Sequence, residues 1–208
     1  MTVPLYGLVL AGGASRRMGQ DKAALSYDGH PQLIRAFALL ALRATRCFVS
    51  IRAEQMDDPL RRAWPCIVDT HAAIGPAAGL LAAHAACPHA AWLILACDLP
   101  LLDGLTLDAL IQARGDDCSA VAFRSEHDGE PEPLCAIWEP EALETLCREV
   151  SEGKGSMRRI LAGEGTKILP PLTPGALDNI NTPADRTRAM ASLAGARDGE
   201  RQEHKCRG

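Results

Sequence analysis

The chain has 208 residues, enough for one well-buried domain and short for two. Its 47% hydrophobic and 23% charged residues are ordinary for a globular protein, which excludes general disorder. A net charge of -4 excludes the basic footprint of a nucleic-acid-coating or membrane-surface protein, although a local cluster of cations can still hold a small anion. In chain order, strand-like apolar runs fall at Leu5–Leu10, Cys47–Arg52, Cys66–Asp69, Trp92–Ala96, Ala120–Phe123, Leu134–Trp138 and Lys167–Leu169. Helical stretches fall between them at Gln32–Arg46, Pro76–Ala86, Leu105–Arg114, Glu139–Glu149 and Pro183–Leu193. Leu5–Leu10 and Trp92–Ala96 are almost continuously apolar, the pattern of central strands covered on both faces.

Such alternation predicts parallel strands joined by right-handed crossovers, hence an α/β three-layer sandwich. The less regular later strands predict a mostly parallel, partly mixed sheet. Residues 1–194 read as a single domain, and residues 195–208, which lose apolar periodicity and gain charge and glycine, as a frayed, disordered tail. Eight cysteines form no CxxC pair and no zinc-ligand spacing, so they read as reduced thiols of a cytoplasmic protein, with Cys47, Cys97 and Cys135 as small core hydrophobes. No basic residue precedes the apolar N-terminal stretch, so no signal peptide is expected, and no apolar run approaches the ~18 residues of a membrane span.

Open α/β sheets bind ligands at the carboxyl ends of their strands, and the chemistry-bearing motifs sit there. Directly after the first strand, Leu10–Lys22 reads LAGGASRRMGQDK. Its glycines let the backbone approach a ligand, and exposed N–H groups can cradle phosphate oxygens. Arg17 and Lys22 place cations at its two ends, suited to a triphosphate. The spacing fits neither a P-loop nor a GxGxxG dinucleotide fingerprint. Asp69 ends the third strand, and Gly75-Pro76-Ala77-Ala78-Gly79 opens the next helix, with Pro76 suited to its first turn. Asp98 follows the buried Trp92–Ala96 run, where a carboxylate can either hold Mg2+ against phosphates or cap a following helix; Pro100 and the neighbouring leucines make capping awkward. In Asp178-Asn179-Ile180-Asn181-Thr182-Pro183, Asn179 and Asn181 alternate onto one face of an extended segment; they can orient a substrate, while Thr182 or Asn181 caps the helix that Pro183 begins.

These segments resemble, in order and spacing, the molybdenum cofactor guanylyltransferases, members of the molybdopterin nucleotidyltransferases. The LAGGASRRMGQDK loop, Asp69 with GPAAGL, CDLP at Cys97–Pro100 and NINTP at Asn179–Pro183 carry the resemblance, which spans about residues 5–190. It implies a Rossmann-like α/β fold, transfer of GMP from GTP to the phosphate of molybdopterin, with or without molybdenum, and release of pyrophosphate. It further implies nucleotide binding by Leu10, Ala11, Gly12, Gly13, Lys22, Asp69, Gly79 and Asp98, catalytic roles for Arg17, Lys22 and Asp98, and Mg2+ on Asp98. Asn179, Asn181 and Glu132 are the implied acceptor contacts, although Glu132 reads equally as a solvated edge charge. Arg52 stands nearest the base-contacting position, where guanine-specific relatives carry an amide. Partners implied are the two small-molecule substrates and transient contact with molybdenum-insertion or molybdoenzyme maturation proteins, with no nucleic acid or membrane. Two rival readings stay open: a cytidylyltransferase using CTP with molybdopterin or a sugar or polyol phosphate, and a non-catalytic nucleotide-binding protein on the same scaffold.

Overall fold

A computed structural model describes residues 3–13, 20–27, 29–69 and 74–206, with backbone alone for 196–206. β1 (Leu5–Leu10) lies between β4 (Arg46–Ile51) and β6 (Ala91–Ala96) and is parallel to both. β5 (Cys66–Val68) extends one edge in parallel. On the other side β8 (Pro131–Trp138) runs antiparallel to β6 and to β7 (Ala120–Arg124), and β9 (Thr166–Leu169) pairs parallel with β7. The order β5-β4-β1-β6-β8-β7-β9 makes a seven-stranded sheet, mostly parallel and mixed through β8. A two-stranded ribbon of β2 (Ser26–Tyr27) and β3 (His30–Pro31) precedes the first helix and was not expected from the sequence pattern.

Alternation along the strands builds the two cores. In β6, Leu93 and Leu95 face one side, with Leu33, Ala36 and Leu40 of α1 (Gln32–Ala41) and Leu107 and Leu110 of α3 (Gly104–Ala113). Trp92 and Ile94 face the other, against Leu80 of α2 (Pro76–Ala86), Leu143 of α4 (Pro140–Ser151) and Leu161 of α5 (Met157–Leu161). All six residues of β6 are buried, so this strand carries both apolar layers, and the α/β three-layer sandwich forms as expected.

Boundaries moved where capping and pairing overrule periodicity. α1 stops at Ala41, because Thr45 and Arg46 turn back to pair with β1. α3 begins earlier, since the Asp103 carboxylate accepts from the Thr106 N–H at 2.8 Å and caps it. The last helix, α6 (Pro183–Cys206), runs beyond the Leu193 boundary expected from the sequence. Helix-favouring alanine, arginine, glutamate, glutamine and lysine sustain its backbone after the apolar stripe ends.

Gly7 marks the tightest approach of α1 to the sheet. A Cβ there would lie 2.9 Å from Cys47 Sγ and 3.1 Å from Leu40 Cβ. Gly7→Val overpacks this contact and should lower stability by about 1–3 kcal/mol, read from the midpoint of urea unfolding. An unchanged midpoint would mean that α1 is free to move away.

Candidate functional site

The glycine-rich loop leaves β1 at Leu10, and the Ala11 N–H bonds to the Ser50 carbonyl of β4 at 3.1 Å. Gly12 and Gly13 line the cleft that opens above the sheet, and a Cβ on Gly13 would meet nothing within 4 Å. The loop returns at Asp21, whose carboxylate accepts from the Ala23 N–H at 3.1 Å and starts the short helical turn Lys22–Ala24. Arg17, expected at the phosphates, lies outside the described residues.

Both described ends of this loop are tied to one buried guanidinium. Arg61, 1% exposed, donates to the Ala11 carbonyl at 3.0 and 3.3 Å and to the two oxygens of Asp21 at 2.7 and 3.0 Å. It also donates to Asp58. Burial alone would lower its pKa, but the bonds to Asp21 and Asp58 outweigh that cost and raise it. The sequence pattern did not single out Arg61. Its one local signal was the Asp58/Arg61 spacing of three, which says nothing about a loop 50 residues upstream.

Asp21 and Arg61 thereby fix the start of the turn that carries Lys22. The Lys22 ammonium lies 2.9 Å from Asp98 Oδ2 and donates to Asn181 Oδ1 at 2.6 Å. Asp98 stands two residues past the end of β6, and its carbonyl accepts from the Ile180 N–H at 3.0 Å. That single backbone bond brings the Asp178–Pro183 segment to the strand tip. Lys22, Asp98 and Asn181, expected at one site, are brought together.

Across the cleft, Asp69 Oδ1 accepts from the Ser50 hydroxyl at 2.7 Å. Burial raises the Asp69 carboxyl above its usual pKa, against Ser50 and Arg52, which pull it down. Leu10, Asp69 and Arg52 line the cleft together with Asp98. Ala11 is buried beneath it with its carbonyl on Arg61. Gly79 also lies below, not at the lining: a Cβ there would come 2.2 Å from Ser50 Oγ. Its absent side chain makes room for the Ser50–Asp69 bond under the first turn of α2. Ser50 was missed from sequence, since a serine inside a strand carries no signal of its own.

A second depression adjoins this one along β8, lined by Glu132, Arg158, His127, Asp178 and Asn179. A bulge between Ala122 and Phe123 shifts the pairing of β7 with β8, so that Phe123 opposes Glu132. The pairing of β8 with β6 ends at Leu95↔Cys135, which sets residues 132–134 beside the stretch leading to Asp98. Glu132 is 7% exposed, which corrects its alternative reading as a solvated edge charge. Asn179 lines this depression whereas Asn181 bonds Lys22, so the two amides expected on one face serve neighbouring places. Burial pushes the nearby Cys97 thiol up to about 12, and raises Cys135 as well.

The family described as MobA-like NTP transferase domain matches residues 7–168. The chain is 35% identical over 182 residues to the molybdenum cofactor biosynthesis bifunctional protein of Synechocystis sp., covering 88% of this chain and 52% of that protein, so it spans about half that relative's length. It is 34% identical over 185 residues to the probable molybdenum cofactor guanylyltransferase of Synechococcus elongatus, covering 86% of this chain and 94% of that one. The molybdopterin-guanine dinucleotide biosynthesis protein A of Archaeoglobus fulgidus shares the fold, with a TM-score of 0.75 at 23% identity over 91% of this chain and 99% of that one. A cleft at the strand tips lined by Asp98 and a glycine-rich loop, with Lys22 bonded to that aspartate and a family match over residues 7–168, places this chain among the MobA-like nucleotidyltransferases.

Proposed function

We propose that this protein transfers GMP from GTP to the phosphate of molybdopterin, forming a guanine dinucleotide and pyrophosphate. One observation carries the reading: Lys22 sits 2.9 Å from Asp98 and 2.6 Å from Asn181, joining the loop, the strand tip and the segment before α6. The name of the Synechococcus relative, a probable molybdenum cofactor guanylyltransferase, supports guanylyl transfer, and that of the Synechocystis relative supports molybdenum cofactor biosynthesis.

In this reading an oxygen of the acceptor phosphate attacks the α-phosphorus of GTP in line. The bond from that phosphorus to the β-phosphate bridging oxygen breaks, and pyrophosphate leaves with the electron pair. A phosphate monoester is largely dianionic at neutral pH, so no general base is needed. The obstacle is repulsion between two polyanions. The Lys22 ammonium offsets it at the point where acceptor and triphosphate meet, and the loop N–H groups at Gly12 and Gly13 add donors that need no reorganisation. Asp98 is the residue that would hold Mg2+. Mg2+ takes one or two carboxylates and fills its shell with water and phosphate oxygens. When bound, Mg2+ supplies charge neutralisation of the triphosphate.

Arg52 lines the cleft and presents donors only. Two donors fit O6 and N7 of guanine. They also fit O2 and N3 of cytosine, which is the ground for a second reading with CTP. The setting that fits a nucleoside triphosphate and seven unpaired described thiols is the cytoplasm, with transient contact to molybdenum-insertion or maturation proteins at product release.

Mass spectrometry of the product formed from molybdopterin with equimolar GTP and CTP should show the guanine dinucleotide in excess. A cytosine product would replace the reading with the second one, and no dinucleotide at all would remove both. Asp98→Asn should keep the fold, seen by circular dichroism, and lose about 10²-fold or more in Mg2+-dependent turnover. Normal turnover would exclude Asp98 from the chemistry. Arg61→Leu should lower stability by about 2–3 kcal/mol, since charged hydrogen bonds are lost, and weaken GTP binding by calorimetry, with Arg61→Lys recovering part of both. Wild-type GTP affinity in a destabilised Arg61→Leu would show that the loop holds its shape without the tie.

A further inference from the structure

We propose that the Lys22 ammonium holds the place of a divalent cation on Asp98, so that metal enters together with the nucleoside triphosphate and not as the free ion. The inference rests on the transfer reading above and deepens it, because it fixes the form in which one substrate is taken.

The Lys22 Nζ lies 2.9 Å from Asp98 Oδ2 and 2.6 Å from Asn181 Oδ1, so a carboxylate oxygen and an amide oxygen converge on one cation. Hard oxygens are also what Mg2+ takes, at about 2.0–2.1 Å. An ion on Asp98 would then stand within about 5 Å of the ammonium as it now lies, and like charges at that spacing repel strongly. The two side chains are only 16% and 20% exposed, so water screens the repulsion in part. Metal and ammonium are alternative occupants of Asp98.

The backbone beneath the lysine is held. Asp21 accepts from the Ala23 N–H at 3.1 Å to start the Lys22–Ala24 turn, and the buried Arg61 grips the Asp21 carboxylate at 2.7 and 3.0 Å. Asp98 is held as well, since its carbonyl accepts from the Ile180 N–H at 3.0 Å. What can swing is the flexible four-carbon stem of Lys22 with its compact charge. Leaving Asp98 parts this charge from a carboxylate, a loss that a free metal ion does not offset. A triphosphate does offset it. Gly12 and Gly13, whose N–H groups suit phosphate, line the same cleft as Asp98. A metal–triphosphate complex brings the ion for Asp98 and the anion for Lys22 in one step.

Electron paramagnetic resonance of Mn2+ reads bound ion without any turnover. In the absence of nucleotide, Lys22→Met should bind Mn2+ about tenfold more tightly than wild type, the factor that one charged contact supplies. With GTP present the order should reverse, the variant binding the Mn2+–GTP complex about tenfold more weakly by calorimetry. Adding Asp98→Asn to Lys22→Met should abolish the gain for Mn2+ alone, which locates the ion. Equal or weaker Mn2+ binding by Lys22→Met, a gain that survives the loss of Asp98, or an order unreversed by GTP would each overturn the inference. A wild-type measurement carries the test if the variants misfold. The side-chain amide of Asn181, followed by proton–nitrogen correlation, should keep its position with Mg2+ alone and shift when Mg2+ and GTP are added together. The same shift with Mg2+ alone, or none in either case, would refute the exchange. Dinucleotide formation alongside a failed Mn2+ result would leave the transfer reaction intact and remove the exchange. The Mn2+ result without any dinucleotide would do the reverse.

Discussion

A loop that offers its own backbone N–H groups to a triphosphate cannot use them to fold on itself. Arg61 ties the two described ends of this loop, at Ala11 and Asp21, from within the core. One guanidinium, almost fully buried, accepts the cost of desolvation in return for bonds to the Ala11 carbonyl and the Asp21 carboxylate. Arginine suits this position because its planar fork serves several acceptors in fixed directions, which a lysine ammonium does not. Lys22 is covalently next to Asp21, so the placement of the cation that meets Asp98 follows from the placement of Arg61.

The second constraint is charge. The chain as a whole is acidic, with a formal charge of -4, yet its proposed chemistry joins two polyanions. Local arrangement resolves the conflict. Lys22 meets Asp98 at the strand tips, and the positive end of α2, at Gly75 and Pro76, borders the cleft. Asp98 is held by Lys22 and supported through its backbone by Ile180, so the carboxylate is set in place before any substrate arrives.

Small residues and irregular pairing shape the walls. Gly12 and Gly79 press against the Ser50–Asp69 pair from two sides, at distances where an alanine Cβ would come within 3.0 Å of Asp69 and 2.2 Å of Ser50. The bulge in β7/β8 bends the strand that separates the nucleotide cleft from the second depression. An antiparallel β8 inserted between β6 and β7 is what allows one strand to line both.

Much of this was legible in the chain itself. The apolar runs at Leu5–Leu10 and Trp92–Ala96 announced the central strands, and the glycines after Leu10 announced a loop at a strand tip, because local chemistry and periodicity carry both. Asp98, Asn181 and Lys22 were recognisable by type and by their positions after strands. Other features had no local trace. Ser50 inside β4, Arg61 after it, and Gly79 as a spacer rather than a lining residue depend on partners 19 to 50 positions away. The burial of Glu132 likewise came from a pairing shift between two strands. Residue chemistry and short-range pattern are written in sequence, whereas long-range partners, burial and register arise only when packing brings distant segments into one layer.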